Sequence, residues 1–105
     1  MTLKEIKAMA QETGLPCAYD HFAEGESPAP PFLIFRIPSA DNFSADGLPY
    51  YKQDLLDFEL YTDVKDPEAE SKIEAVLELH GLFYDKSEVW IPDERLYEVL
   101  YEMEV

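Results

Sequence analysis

A chain of 105 residues that is 47% hydrophobic and 13% aromatic carries enough apolar material for one core and is too short for two. Its 23 acids against 8 Lys and Arg give a formal net charge of −15, which disfavours binding of the isolated domain to nucleic-acid phosphates, while the aromatic content opposes the disorder that such charge otherwise signals. The single cysteine, Cys17, excludes an internal disulfide and suits a reducing compartment.

The first segment, MTLKEIKAMAQE, has charges at every third or fourth place and no long apolar run, so it predicts neither a signal peptide nor a membrane span. Thr2 and Glu5 form a capping-box pattern, Leu3, Ile6 and Ala10 recur on one helical face, and Gly14 closes the segment. Pro16 opens an extended piece, PCAYDHF, followed by a Pro- and Ala-rich loop, AEGESPAPP. From Phe32 to Ile37 both side-chain alternations are apolar, the pattern of a strand covered on two faces. Residues Ser39 to Pro49 form a long polar loop with Asp46-Gly47 as its turn signal and Tyr50 and Tyr51 at its exit.

The strongest signals lie between Tyr50 and Gly81. Leu56, Phe58 and Leu60 alternate with Asp57 and Glu59, the two-residue period of a half-buried strand. A helix follows, with Asp66 at its N-cap, Pro67 at the first helical position where a missing N–H costs nothing, and Gly81 just past its end. Ala69, Ile73, Val76, Leu77 and His80 fall on one face of it. Glu70, Glu74 and Glu78 line one flank at four-residue spacing, where like charges repel by a few tenths of a kcal/mol, so this flank must stay wet or meet a cation. Leu82 to Ile91 reads as a strand, Pro92-Asp93-Glu94 as a turn, and the closing strand alternates Tyr97, Val99, Tyr101, Met103 and Val105 against Leu96, Glu98, Leu100, Glu102 and Glu104.

The order α-β-β-β-α-β-β predicts one α+β domain: a mainly antiparallel sheet of about five strands with both helices packed on one face. The second face is then uncovered by helix, and Leu33, Phe35, Leu55, Tyr61 and Leu100 are candidates to lie on it as a protein contact, unless the two long loops shield it.

Chemical signatures are sparse. Cys17 and His21 share a strand face, but four strand residues span roughly 13 Å, too far for a thiolate–imidazole pair. Asp20, His21 and Glu24 lack the Cys and His spacing of a zinc site, and His80 reads as a half-buried structural histidine. Asn42, Ser44, Asp46 and Gly47 echo the start of a calcium loop whose bidentate glutamate is replaced by Gln53. The glycines, at 14, 25, 47 and 81, are too far apart to cradle a phosphate. No enzyme, cofactor or metal is therefore expected.

The stretches HFAEGESPAPPF, DNFSADGLPYYK and ELYTDVKDPEAE, with the closing RLYEVLYEMEV, resemble a family of short acidic proteins from siphophages and prophages of Gram-positive bacteria. The resemblance implies a tail terminator or tail completion protein at the head–tail joint, with an α+β fold and a homo-oligomeric ring, often a hexamer. It further implies other tail or connector proteins as partners, no sequence-specific nucleic-acid binding and no membrane, and a location in the virion tail or in the host bacterial cytoplasm during assembly. A ring that passes DNA needs a lining that repels phosphate, and Glu70, Glu74 and Glu78, or the acids of the Ser39 to Pro49 loop, are candidates for it. The competing expectation is a monomeric acidic interaction module, an inhibitor or DNA mimic that presents carboxylates to a basic partner.

Overall fold

The computed structural model describes residues 1–38 and 55–105. The polar loop, its Asp46-Gly47 turn, the calcium-loop echo at Asn42, Ser44 and Asp46, and Tyr50 and Tyr51 lie outside the described residues. Within them the order is α1 (Leu3–Glu12), β1 (Cys17–Tyr19), β2 (Phe32–Arg36), β3 (Leu55–Thr62), α2 (Pro67–Leu79), β4 (Tyr84–Ile91) and β5 (Leu96–Glu104). Five strands form one mixed sheet in the order β1-β2-β3-β5-β4; β1 runs parallel to β2 and the remaining pairings are antiparallel. This is the α+β arrangement that the element order predicts.

Both helices start as their sequences dictate. Thr2 accepts a hydrogen bond from the Glu5 amide at 3.1 Å, and Glu5 Oε1 accepts one from the Thr2 amide at 2.7 Å, which satisfies two donors that the first turn leaves open. Asp66 accepts from the Ala69 amide at 3.1 Å, with Pro67 next to it. Gly81, at φ +70°, makes the left-handed turn that ends α2 without the penalty a Cβ would bring.

The sheet's alternation decides where the core sits. Leu56, Phe58 and Leu60 of β3 are fully buried, as are Ile6 and Met9 of α1 and Ile73 and Leu77 of α2, all in one cluster. Burying a side chain of this size contributes ~1.5–3 kcal/mol, so this single layer between sheet and helices carries most of the fold's stability. Leu3, expected on the buried face of α1, is 47% exposed, and Met9 joins Ile6 and Ala10 as an inward residue.

One expectation is corrected here. Leu33 and Phe35 do not lie on the second sheet face: Leu33 pairs with Leu60 and Phe35 with Phe58, which puts both in the helix-side core, where they are buried. Phe32 and Ile34 are as apolar as Leu33 and Phe35, and only Arg36, at the end of the strand, marks their alternation as the one away from the helices. The register to β3 settles it. Phe32 and Ile34 therefore point to the open face.

Candidate functional site: the open face of the sheet

The register assigns each side chain of the open face. Phe32, Ile34 and Arg36 come from β2, Leu55, Asp57, Glu59 and Tyr61 from β3, and Leu96, Glu98, Leu100, Glu102 and Glu104 from β5, with Asp85, Ser87, Val89 and Ile91 at the β4 edge. The apolar patch expected there is present only in part. Leu100 and Tyr61 are half-buried on this face and Leu55 is 42% exposed at its end, but they stand among the carboxylates of Asp57, Glu59, Asp85, Glu98, Glu102 and Glu104, opposed on the sheet by Arg36.

One end of the face is shielded. Phe22, in the segment between β1 and β2, packs edge-on against Phe32 with ring centroids 5.4 Å apart, and Phe32 stacks on Tyr61 at 5.3 Å. These rings wall a groove of about 350 Å³ that Ile34, Glu59 and Leu96 also line. The first long loop thus shields the end near β1; among the described residues nothing packs over Asp57 and Glu102, whereas Glu59 is buried at 7% exposure.

The carboxylates are held close together by few donors. The Tyr61 hydroxyl lies 3.0 Å from Glu59 Oε1 and 3.4 Å from Glu98 Oε2, so its single proton serves two acids. Arg36 reaches Glu59 Oε2 at 3.4 Å and Asp20 Oδ1 at 3.4 Å. Partial burial raises the Asp57 carboxyl above its ordinary range, and Glu102 and Glu59 beside it raise it further; burial and then Glu59 do the same to Glu98. Burial, followed by the neighbouring Glu59 and Glu98, holds the Tyr61 phenol protonated well beyond its usual range. The face is thus an acidic cluster on an apolar floor whose negative charge Arg36 offsets only in part.

The flank of α2 behaves differently. Glu70 is only 5% exposed, and its two oxygens take Lys86 Nζ and Lys65 Nζ, each at 2.8 Å. Glu74 takes Lys86 Nζ at 2.6 Å and the Tyr101 hydroxyl at 2.8 Å. Burial alone would raise the Glu70 carboxyl, but the two lysine hydrogen bonds outweigh it and hold it below its ordinary value. Of the two outcomes expected for the flank, wet or paired with a cation, Glu70 and Glu74 take the second and are bound into the fold, and Glu78 alone of the three stands exposed with no ion pair among the described residues.

The residues considered for nucleophilic or metal chemistry are dispersed. Cys17 packs half-buried against the helix-side core, and burial pushes its thiol up, away from reactivity. His21 is exposed beside Asp20, its Nδ1 2.9 Å from Oδ2. His80 does not sit in the apolar face of α2 but caps its C-terminus, where Nε2 lies 3.0 Å from Glu12 Oε1 and ties the ends of the two helices together. Among the described residues no group of three or more His, Cys, Asp and Glu is placed to hold a metal ion, and no helix is long and apolar enough to cross a membrane.

Fold and site together define a two-layer α+β domain with its helices on one side and, on the other, an acidic sheet face that no helix among the described residues covers. No family model, curated protein or solved structure matches the chain.

Proposed function

We propose that the chain is a non-enzymatic structural protein of a phage or prophage tail, a terminator or completion component that oligomerises, as a ring, at the head–tail joint. The observation that carries this reading furthest is the segregation of the two layers: a sheet face rich in carboxylates, with Arg36 among them, opposite a face on which the two helices pack. A conduit for DNA needs a wall that does not grip phosphates, and the open face meets that need better than the α2 flank, whose acids are neutralised. Copies must then join through other surfaces, in a head-to-tail contact whose rotation closes. Large exposed apolar side chains are available for it: Phe83 is 94% and Leu79 79% exposed.

The same acidic face supports a second reading, a monomeric interaction module that competes with DNA for a basic protein. Electron microscopy with native mass measurement separates the two. Rings on grids and a multiple of 12.1 kDa in solution are expected; a stable monomer at tens of micromolar that displaces DNA from a basic protein establishes the alternative instead. The lining is tested separately in an infection assay. D57N/E102Q should slow DNA delivery and E78Q should do so less; equal delivery by both variants and the unaltered protein removes the open face from that role.

A further inference from the structure

Among the described residues β4 is the outermost strand of the sheet, eight residues long, with exposed side chains from Asp85 to Trp90. It contains no proline, and its pairing to β5 runs unbroken from Tyr84 to Ile91. Natural edge strands of this length are usually blunted by bulges, prolines or outward charges, because their free N–H and C=O groups invite another strand. Here the edge lysine, Lys86, is drawn over the helix side by Glu70 and Glu74 instead of projecting along the edge. Val89 and Trp90 remain half exposed on it.

We infer that β4 pairs antiparallel with β4 of a second copy about a two-fold axis at Ser87, joining two sheets into one. Among the centres from Asp85 to Glu88, the charge pattern favours this register. An axis perpendicular to the sheet requires that facing residues share a side, so the centre falls on a residue. Centred on Lys86 the strand sets Lys86 against Lys86, centred on Glu88 it sets Glu88 against Glu88, and centred on Asp85 it sets Asp85 against Asp85; like charges directly opposite destabilise a pair. Centred on Ser87, Lys86 faces Glu88 of the second copy twice over, and Tyr84 faces Trp90 twice on the same side. On the open side Asp85 faces Val89, and Phe83, just before the strand and the most exposed of the large apolar residues, falls opposite Ile91. Lys86, already held by Glu70 and Glu74, and Glu88, already held by Lys65, keep 37% and 44% of their side-chain surface in solvent, which leaves each a face toward the second copy. The net charge of −15 per copy opposes the approach, and salt screens that opposition. This contact is isologous and stands apart from the closing contact of a ring.

Cysteine trapping tests the register. Directly opposed strand residues place their Cα atoms about 4.5–5.5 Å apart, within the span a disulfide bridges. In a Cys17→Ser background, S87C should oxidise to a covalent dimer at least tenfold faster than V89C, whose two copies would lie four residues apart along the strands. Sedimentation of the unaltered chain should show dimer increasing with salt. Equal trapping of S87C and V89C, with both variants folded by near-UV circular dichroism, overturns the inference, as does a chain that remains monomeric at high salt. Rings without S87C trapping would sink this contact and leave the ring standing; trapped dimers without rings would do the reverse.

Discussion

Replacing Lys86 by methionine separates structural acids from functional ones. The substitution keeps the stem that packs along β4 and removes the ammonium that bridges Glu70 at 2.8 Å and Glu74 at 2.6 Å, 5.8 Å from the Tyr101 ring centroid. Hydrogen bonds between charged groups contribute ~1.5–3 kcal/mol, and removing one member of a buried pair costs about 3–5 kcal/mol. Two features reduce that: Lys86 is 37% exposed, and Lys65 still holds the other oxygen of Glu70. A loss of ~2 kcal/mol at neutral pH follows, or about 8–16 °C in Tm for a domain of this size. Urea unfolding at low protein concentration measures it. Adding E70Q to K86M should restore part of the loss, because the amide carries no buried charge. K86M within ~0.5 kcal/mol of the parent, or a double-mutant cycle with no coupling between positions 70 and 86, would refute the claim that this flank is bound into the fold.

Two further outcomes follow from burial and charge. Stability should rise as pH falls from neutrality, because Asp57 and Glu98 bind protons more tightly folded than unfolded, and then drop once pH falls through the lowered value of Glu70, whose contribution is complete only above its ordinary 4.5. Thermal melts across this range should place the maximum on the acidic side of neutrality, and E98Q should flatten the rise; a maximum at or above neutrality contradicts the cluster's geometry. Phe58→Ala opens a cavity in the fully buried layer and should cost about 3–5 kcal/mol, whereas Leu79→Ala, at a side chain 79% exposed, should stay within ~0.5 kcal/mol by denaturant titration.

The parts of the fold that were legible are those whose signal is local. The capping box at Thr2 and Glu5, the Asp66-Pro67 start of α2, and the alternation of Leu56, Phe58 and Leu60 depend on residues within a turn or two of one another. Leu33 and Phe35 were misplaced because only Arg36, at the end of β2, marks its two apolar sides apart, and pairing to β3 decides between them. The neutralised flank was half legible: the spacing of Glu70, Glu74 and Glu78 required either water or a cation, but Lys86 is brought to it by a strand that the chain reaches only after α2 has ended. The open face was the least visible, since Asp57 and Glu59 meet Glu98 and Glu102 only through the register of β3 with β5. Each pair alone reads as an ordinary wet alternation; their sum on one surface is a product of pairing.

The placement of β5 bears on how the molecule comes into being. It is the latest of the five strands to be synthesised, yet it is inserted between β3 and β4, each of which it borders along its length. A nascent chain that has reached Ile91 holds β1, β2 and β3 on one side and a β4 without its strand neighbour on the other, and the sheet is completed only by the following dozen residues. A stop codon in that stretch would therefore not trim the molecule but split it, leaving β4 a stray hairpin arm.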